Sequence, residues 1–264
     1  MSTTLRKVKL ERLTLPKSEM GKMSPIDRKR YIMFTFILQD LNLLQKCLVY
    51  SKNDTPTIKI VDRANTTAAV FFMKILISKI YEMWQFLKNN KILSDKNEFS
   101  SELNESINKI KLFFSDKKGE KIFRFIRNKI GFHYEYQDDI DSLIDNAFNE
   151  LKDNEFEMWL SRADSGNDVF VSSTTLMFDV ILKQMKKLGF GGDDLTRMRE
   201  LFSLSQKGAS LFQDFSTLYL TEAFKIKYER KETIEIEVPI ISSVKLPVIV
   251  ARNDAASDRQ SNSS

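Results

Sequence analysis

Apolar residues recur near the helical period along most of the chain. Ser24-Pro25 places a capping hydroxyl ahead of a proline suited to a helix's first turn, and Ile32, Phe36, Leu43 and Leu44 follow near helical spacing. This predicts a helix to about Ser51, broken by residues 53–57. A second long helix is predicted over 62–90, carrying Val70, Phe71, Ile75, Ile77, Ile80, Trp84 and Leu87. A polar loop at 94–97 leads to a helix through Leu103, Ile107, Ile110 and Phe114. The next opens near Lys118, carries Ile122, Phe123, Ile126 and Ile130, and has Gly131 near its end. Helices over 138–152 and 172–188 follow, the second closed by Gly189, then two helical stretches over 195–206 and 209–228. The period then changes: Ile234, Ile236 and Val238 alternate with Glu235 and Glu237, a strand signature. A short apolar run over 244–250 contains Pro247 and suits an edge strand.

Composition supports the helical reading. Of the 264 residues only 8 are glycine and 5 proline, and no proline falls between Pro56 and Pro239. Such a run favours long helices over a turn-rich β-protein. Hydrophobic residues make up 42% and charged residues 29%, enough for a packed core. One cysteine, Cys47, leaves no disulfide framework and no cysteine-based zinc site, and is expected in the core. One histidine, His133, leaves no histidine-rich metal site. The most apolar stretch, 68–87, is interrupted by Lys74, Lys79 and Glu82, so a soluble, cytoplasmic protein without a membrane span is expected.

Charge is uneven. Residues 1–30 have net charge +6 and read as a basic, flexible arm over 1–23. Residues 117–129 hold Lys117, Lys118, Lys121, Arg124, Arg127 and Lys129 against Glu120 alone, and nine acids against one lysine follow over 135–157. A basic segment beside an acidic one attracts a polyanion on one side and shapes access from the other, although both also suit solvated helix faces. Asp138, Asp139 and Asp141 match no cation-loop spacing and fall in a helical pattern.

The chemistry concentrates in Arg127-Asn128-Lys129-Ile130-Gly131-Phe132-His133-Tyr134. An arginine with a polar neighbour, followed after five residues by the chain's one histidine, resembles the motif of the HEPN superfamily (higher eukaryote and prokaryote nucleotide-binding domain). The resemblance covers about residues 25–155, with abortive-infection proteins the nearest subgroup. It implies an all-α, antiparallel bundle over 24–160, here with a helical extension over 169–230, a short β-strand pair over 232–250 and a disordered tail over 251–264. It also implies a metal-independent endoribonuclease without cofactor, leaving a 2′,3′-cyclic phosphate, acting as a toxin or antiviral defence effector. The expected partners are RNA, a second copy forming a composite cleft, and an antitoxin or other regulatory protein.

The residue chemistry fits that reaction. Histidine, with an unperturbed pKa of about 6.5, exchanges protons near neutral pH. Arginine keeps its charge and presents a planar donor fork to phosphate oxygens. Asn128 would position the phosphate or fix the imidazole. Lys117, Lys118, Lys121, Arg124 and Lys129 would hold the RNA backbone, and Tyr134 and Tyr136 would stack on bases or line the cleft. On one continuous α-helix, residues six apart point about 120° apart. Arg127 and His133 therefore converge only if the helix changes near Gly131 or if two copies face each other.

The bland alternatives are a capping histidine, an Arg127 paired with Asp138 or Asp139, and packing tyrosines. Glu82, mid-helix among apolar neighbours, is either a partner behind the site or the edge of the buried stripe. The competing functional class is a non-catalytic dimeric module that binds nucleic acid or nucleotide, or that partners a nucleotidyltransferase.

Overall fold

A computed structural model of the chain describes residues 5–51, 59–93, 99–131, 138–150, 157–158, 169–222 and 229–239. It is mostly helical, with one small antiparallel sheet. Strand β1 (Leu5–Thr14) and the short helix α1 (Lys17–Lys22) precede the long helices α2 (Pro25–Tyr50) and α3 (Lys59–Asn89). Next come α4 (Ser101–Ser115), α5 (Lys117–Phe125) with a π-helical turn at Ile126–Gly131, and α6 (Asp138–Asn149). Helices α7 (Val171–Lys187) and α8 (Asp194–Glu222) and strand β2 (Glu229–Pro239) complete it.

Local chemistry sets the boundaries. Ser24 caps α2 by accepting from the Asp27 amide at 3.1 Å, with Pro25 at the first position. Asp116 is the only residue between α4 and α5; its carboxylate accepts from the amides of Lys118 and Gly119 at 3.1 and 3.2 Å. Helix α7 ends at Gly189, whose φ of +85° costs a glycine little.

One core joins α2 to α8. Phe34, Leu41 and Leu48 recur every seven residues on the buried face of α2. They meet Met73, Leu76, Ile80, Met83 and Leu87 of α3 and Phe212 and Phe215 of α8. Phe34 packs edge-on against Phe215 at 5.8 Å and Tyr219 at 5.0 Å, and Trp84 stacks on Phe114 at 4.4 Å. Polar ties fix the antiparallel order. Gln213 of α8 donates to Asn42 and Gln45 of α2, and Arg30 at the start of α2 donates to the Asn90 carbonyl beyond the end of α3. Glu222, the last residue of α8, accepts from the amide and hydroxyl of Ser100 at the start of α4.

Two expectations are corrected. Residues 5–22 are not a flexible arm: β1 pairs with β2 over Leu5↔Pro239 to Thr14↔Glu229. The alternation of Val8 and Leu10 matches Ile236 and Ile234 on one face, while Lys7 and Lys9 oppose Glu237 and Glu235 on the other. The 233–238 strand therefore has an N-terminal partner; its expected partner over 244–250 lies outside the described residues, as does the tail. The two stretches over 195–206 and 209–228 are one helix as far as Glu222. Gly208 does not break it, because it packs where a Cβ would stand 3.2 Å from Ile80 and 3.3 Å from Phe113.

Helix α2 is long and apolar enough to cross a membrane by length and composition, with 22% of its apolar window buried. Ile32, Met33, Phe36 and Leu43 of this helix are exposed.

Candidate nucleic-acid site

The motif lies where α5 changes its winding. Lys117–Phe125 is α-helical, and Ile126–Gly131 forms a π turn. Such turns are rare and concentrate at functional sites. The segment runs antiparallel to α3, with Gly131 against Ser78, Arg127 against Glu82 and Glu120 against Trp84. Gly131 is required by contact. A Cβ there would lie 2.2 Å from Ser78 Oγ and 3.2 Å from the Ile126 carbonyl oxygen. Ser78 is fully buried, and its hydroxyl donates to the Lys74 carbonyl at 2.8 Å, so it has little freedom to withdraw.

Arg127 is half-buried and held from two sides. Its Nη1 donates to Asn128 Oδ1 at 3.1 Å, and its Nη2 stands 3.6 Å from Glu82 Oε1. The other oxygen of Glu82 is 3.4 Å from Lys79 Nζ, which is 3.2 Å from Asp40 of α2. Charges thus alternate from α2 through α3 to the π turn. Arg127 pairs with Glu82, which gives Glu82 a role behind the site.

On the neighbouring face Tyr81 is buried. Burial first, and then the Glu120 carboxylate, push its phenol above the ordinary value, while Arg124 and Arg127 pull it down. Tyr81 is therefore neutral at physiological pH, close to both arginines and hydrogen-bonded to Gln85.

The basic residues separate into groups. Lys117, Lys121 and Arg124 are exposed, and their helical spacing places them with exposed Asn128 on one stripe. Lys118 departs from it: its ammonium donates to the Gly189 carbonyl at 2.8 Å, where it satisfies the end of α7. Lys129 is half-buried and lines a cleft between α3 and α7. Of the five lysines and arginines expected to hold RNA, three share the Asn128 stripe.

His133, Tyr134 and Tyr136 lie outside the described residues, so the structure places only Arg127 and Asn128 of the catalytic set. The side chains of Asp138 and Asp139 also lie outside them. Among the described residues no group of three or more histidine, cysteine, aspartate or glutamate side chains is arranged to hold a metal. The pairing of Glu82 with Arg127 had a sequence signal, an acid within an apolar stripe. The partnership of Lys118 with the end of α7, 71 residues away, had none.

No family model matches this chain, and comparisons with curated proteins and with solved structures return no match.

The close approach at Gly131 makes a direct prediction. Gly131→Ala should destabilise the fold by about 1–3 kcal/mol, as overpacking does, and Ser78→Ala in the same chain should restore much of the loss. Urea unfolding of both single variants and the double variant measures the coupling. Additive effects would mean that the two residues do not constrain each other.

Proposed function

We propose that this chain is a HEPN-type, metal-independent endoribonuclease, acting in the cytoplasm as a toxin or phage-defence effector. The observation that carries the proposal is the setting of Arg127. It stands six residues before the only histidine, on a π turn, oriented by Glu82 and Asn128 and flanked by the stripe of Lys117, Lys121 and Arg124. The antiparallel helical core is compatible with the bundle that the motif implies.

In this reading the RNA backbone lies along the stripe and one phosphate meets Arg127. A 2′-hydroxyl loses its proton and its oxygen attacks the adjacent phosphorus. The bond to the 5′-oxygen breaks, and that oxygen takes up a proton, leaving a 2′,3′-cyclic phosphate and a 5′-hydroxyl. His133 performs one of these transfers. A second copy across a two-fold axis supplies the other histidine, which makes the acting species a homodimer with a composite cleft. Arg127 stabilises charge on the non-bridging oxygens. Its pairing with Glu82 fixes the fork before substrate arrives but also offsets its charge. That second effect favours the competing reading, a dimeric module that binds nucleic acid or nucleotide without cutting it, or that partners a nucleotidyltransferase.

Incubation of the purified protein with total RNA in EDTA separates the two. Cleavage should proceed, leave cyclic phosphate ends, and fall by about 10²–10⁴-fold in His133→Ala, with Arg127→Ala comparably impaired. Expression of the parent, but of neither variant, should slow bacterial growth. No cleavage by the parent would assign the chain to the binding class, and equal cleavage by parent and variants would remove Arg127 and His133 from the reaction.

Binding also tests the stripe. Each phosphate contact on a single strand contributes about −0.7 to the slope of log affinity against log salt. Lys121→Glu with Arg124→Glu, in the His133→Ala background, should flatten that slope and leave thermal stability nearly unchanged. Lys118→Glu should instead lower stability through the lost bond to Gly189. An unchanged slope in the first variant would remove RNA from this face.

A further inference from the structure

Helix α2 carries a second apolar stripe, on the side away from the core. Its Ile26, Ile32, Met33, Phe36 and Leu43 are 49–61% exposed. A contiguous apolar patch of this kind marks a contact surface. Positions 26, 29, 33, 36, 40 and 43 are alternately three and four residues apart, the 3.5-residue period of a two-helix seam. Such a seam runs for about 26 Å along the helix. Two of its positions are charged: Lys29, which is exposed, and Asp40, which is half-buried. The neighbours of α2 leave this face open. Asp40 reaches Lys79 of α3 on one side, and Asn42 and Gln45 meet Gln213 of α8 on the other.

The charges select what covers the seam. A parallel copy would set Lys29 against Lys29 and Asp40 against Asp40. An antiparallel copy centred between residues 34 and 35 sets Met33 on Phe36, Lys29 on Asp40 and Ile26 on Leu43. Each contact is then made twice, as a two-fold interface requires. Sliding one copy by a heptad sets Lys29 against Met33 or Asp40 against Phe36, so the charged pair fixes the register. Asp40 is bound to Lys79 through one oxygen at 3.2 Å. A carboxylate has two oxygens and accepts from both lysines. A lipid surface would cover the apolar residues but would not answer the placing of Lys29 and Asp40 among them.

We propose that a second copy of this chain covers the seam, α2 against α2 and antiparallel, in the register Met33–Phe36, Lys29–Asp40 and Ile26–Leu43. The two-fold axis is then perpendicular to the plane of the two helices. The Asp40 side of α2, with Lys79, Glu82 and Arg127 beyond it, therefore lies on the same face of the dimer in both copies. The inference gives the homodimer of the ribonuclease reading a surface, but it rests on α2 and not on the motif.

Sedimentation velocity of the full chain over a concentration series, without RNA, tests the interface. The parent should sediment as a dimer. Phe36→Glu, at an exposed position, should weaken dimerisation by about tenfold or more and leave the circular dichroism unchanged. Lys29→Glu alone and Asp40→Lys alone should each be largely monomeric, because each sets like charges together twice. Their mixture should form a heterodimer, in which both pairs are again opposite. If Asp40→Lys does not fold, Lys29→Glu with Asp40→Asn, which relieves the repulsion, should regain the dimer that Lys29→Glu loses. A monomeric parent, a dimer that Phe36→Glu leaves intact, or charge-reversed partners that fold but do not associate would overturn the proposal. A dimer through another face would overturn it while leaving the ribonuclease reading its second copy. A monomer that pellets with anionic vesicles, and loses that property in Phe36→Glu, would overturn it in favour of a membrane.

Discussion

The candidate site depends on the contact between Gly131 and Ser78. Two small residues let the end of the motif helix approach α3 more closely than any side chain at position 131 would allow. The approach falls on the π turn, and the antiparallel run puts Arg127 beside Glu82 one turn along α3. Without that proximity Arg127 would be an exposed surface arginine, and its ion pair would contribute little. With it, the guanidinium is half-buried, bonded to its neighbour and opposed by a carboxylate that has its own lysine. The bundle's aromatic core, from Phe34 to Tyr219, serves to hold α3 still beneath this contact.

Holding an arginine this way has two consequences that oppose each other. A guanidinium already oriented loses less freedom when it meets a phosphate. The carboxylate that orients it also competes with that phosphate. Lys79 moderates the competition, since it draws on the other oxygen of Glu82 and is itself tied to Asp40. The charge on the motif is therefore set by residues of α2 and α3 as well as by the motif itself.

The helices were legible because each buries one stripe, and the stripe's period is a local property: Phe34, Leu41 and Leu48 need only α2 to be recognised. Caps were legible for the same reason, as at Ser24 and Gly189. What escaped was long-range. Val8 and Leu10 become a strand only when paired with Ile236 and Ile234, more than 220 residues later, and by themselves they lie in a basic, arm-like segment. The stretches over 195–206 and 209–228 read as two until Gly208 is seen packed closely against Ile80 and Phe113. The π turn has no sequence period of its own; Gly131 hinted at a change of winding, and Ser78, the other half of the contact, gave no signal. The motif residues Arg127 and Asn128 were legible by spacing, and Glu82 by its charge in an apolar stripe. The roles of Lys118 and Lys129 were set by α7, whose position no local pattern records.

The central claim, that Arg127 is the phosphate-binding group of an RNA-cleaving centre, is tested most directly by a crystal structure of His133→Ala with a 2′-O-methyl oligoribonucleotide, which lacks the attacking hydroxyl. The account requires a phosphate within hydrogen-bonding distance of the Arg127 guanidinium, with the adjoining backbone along Lys117, Lys121 and Arg124. RNA bound on another face, with Arg127 still paired only to Glu82 and Asn128, would contradict it.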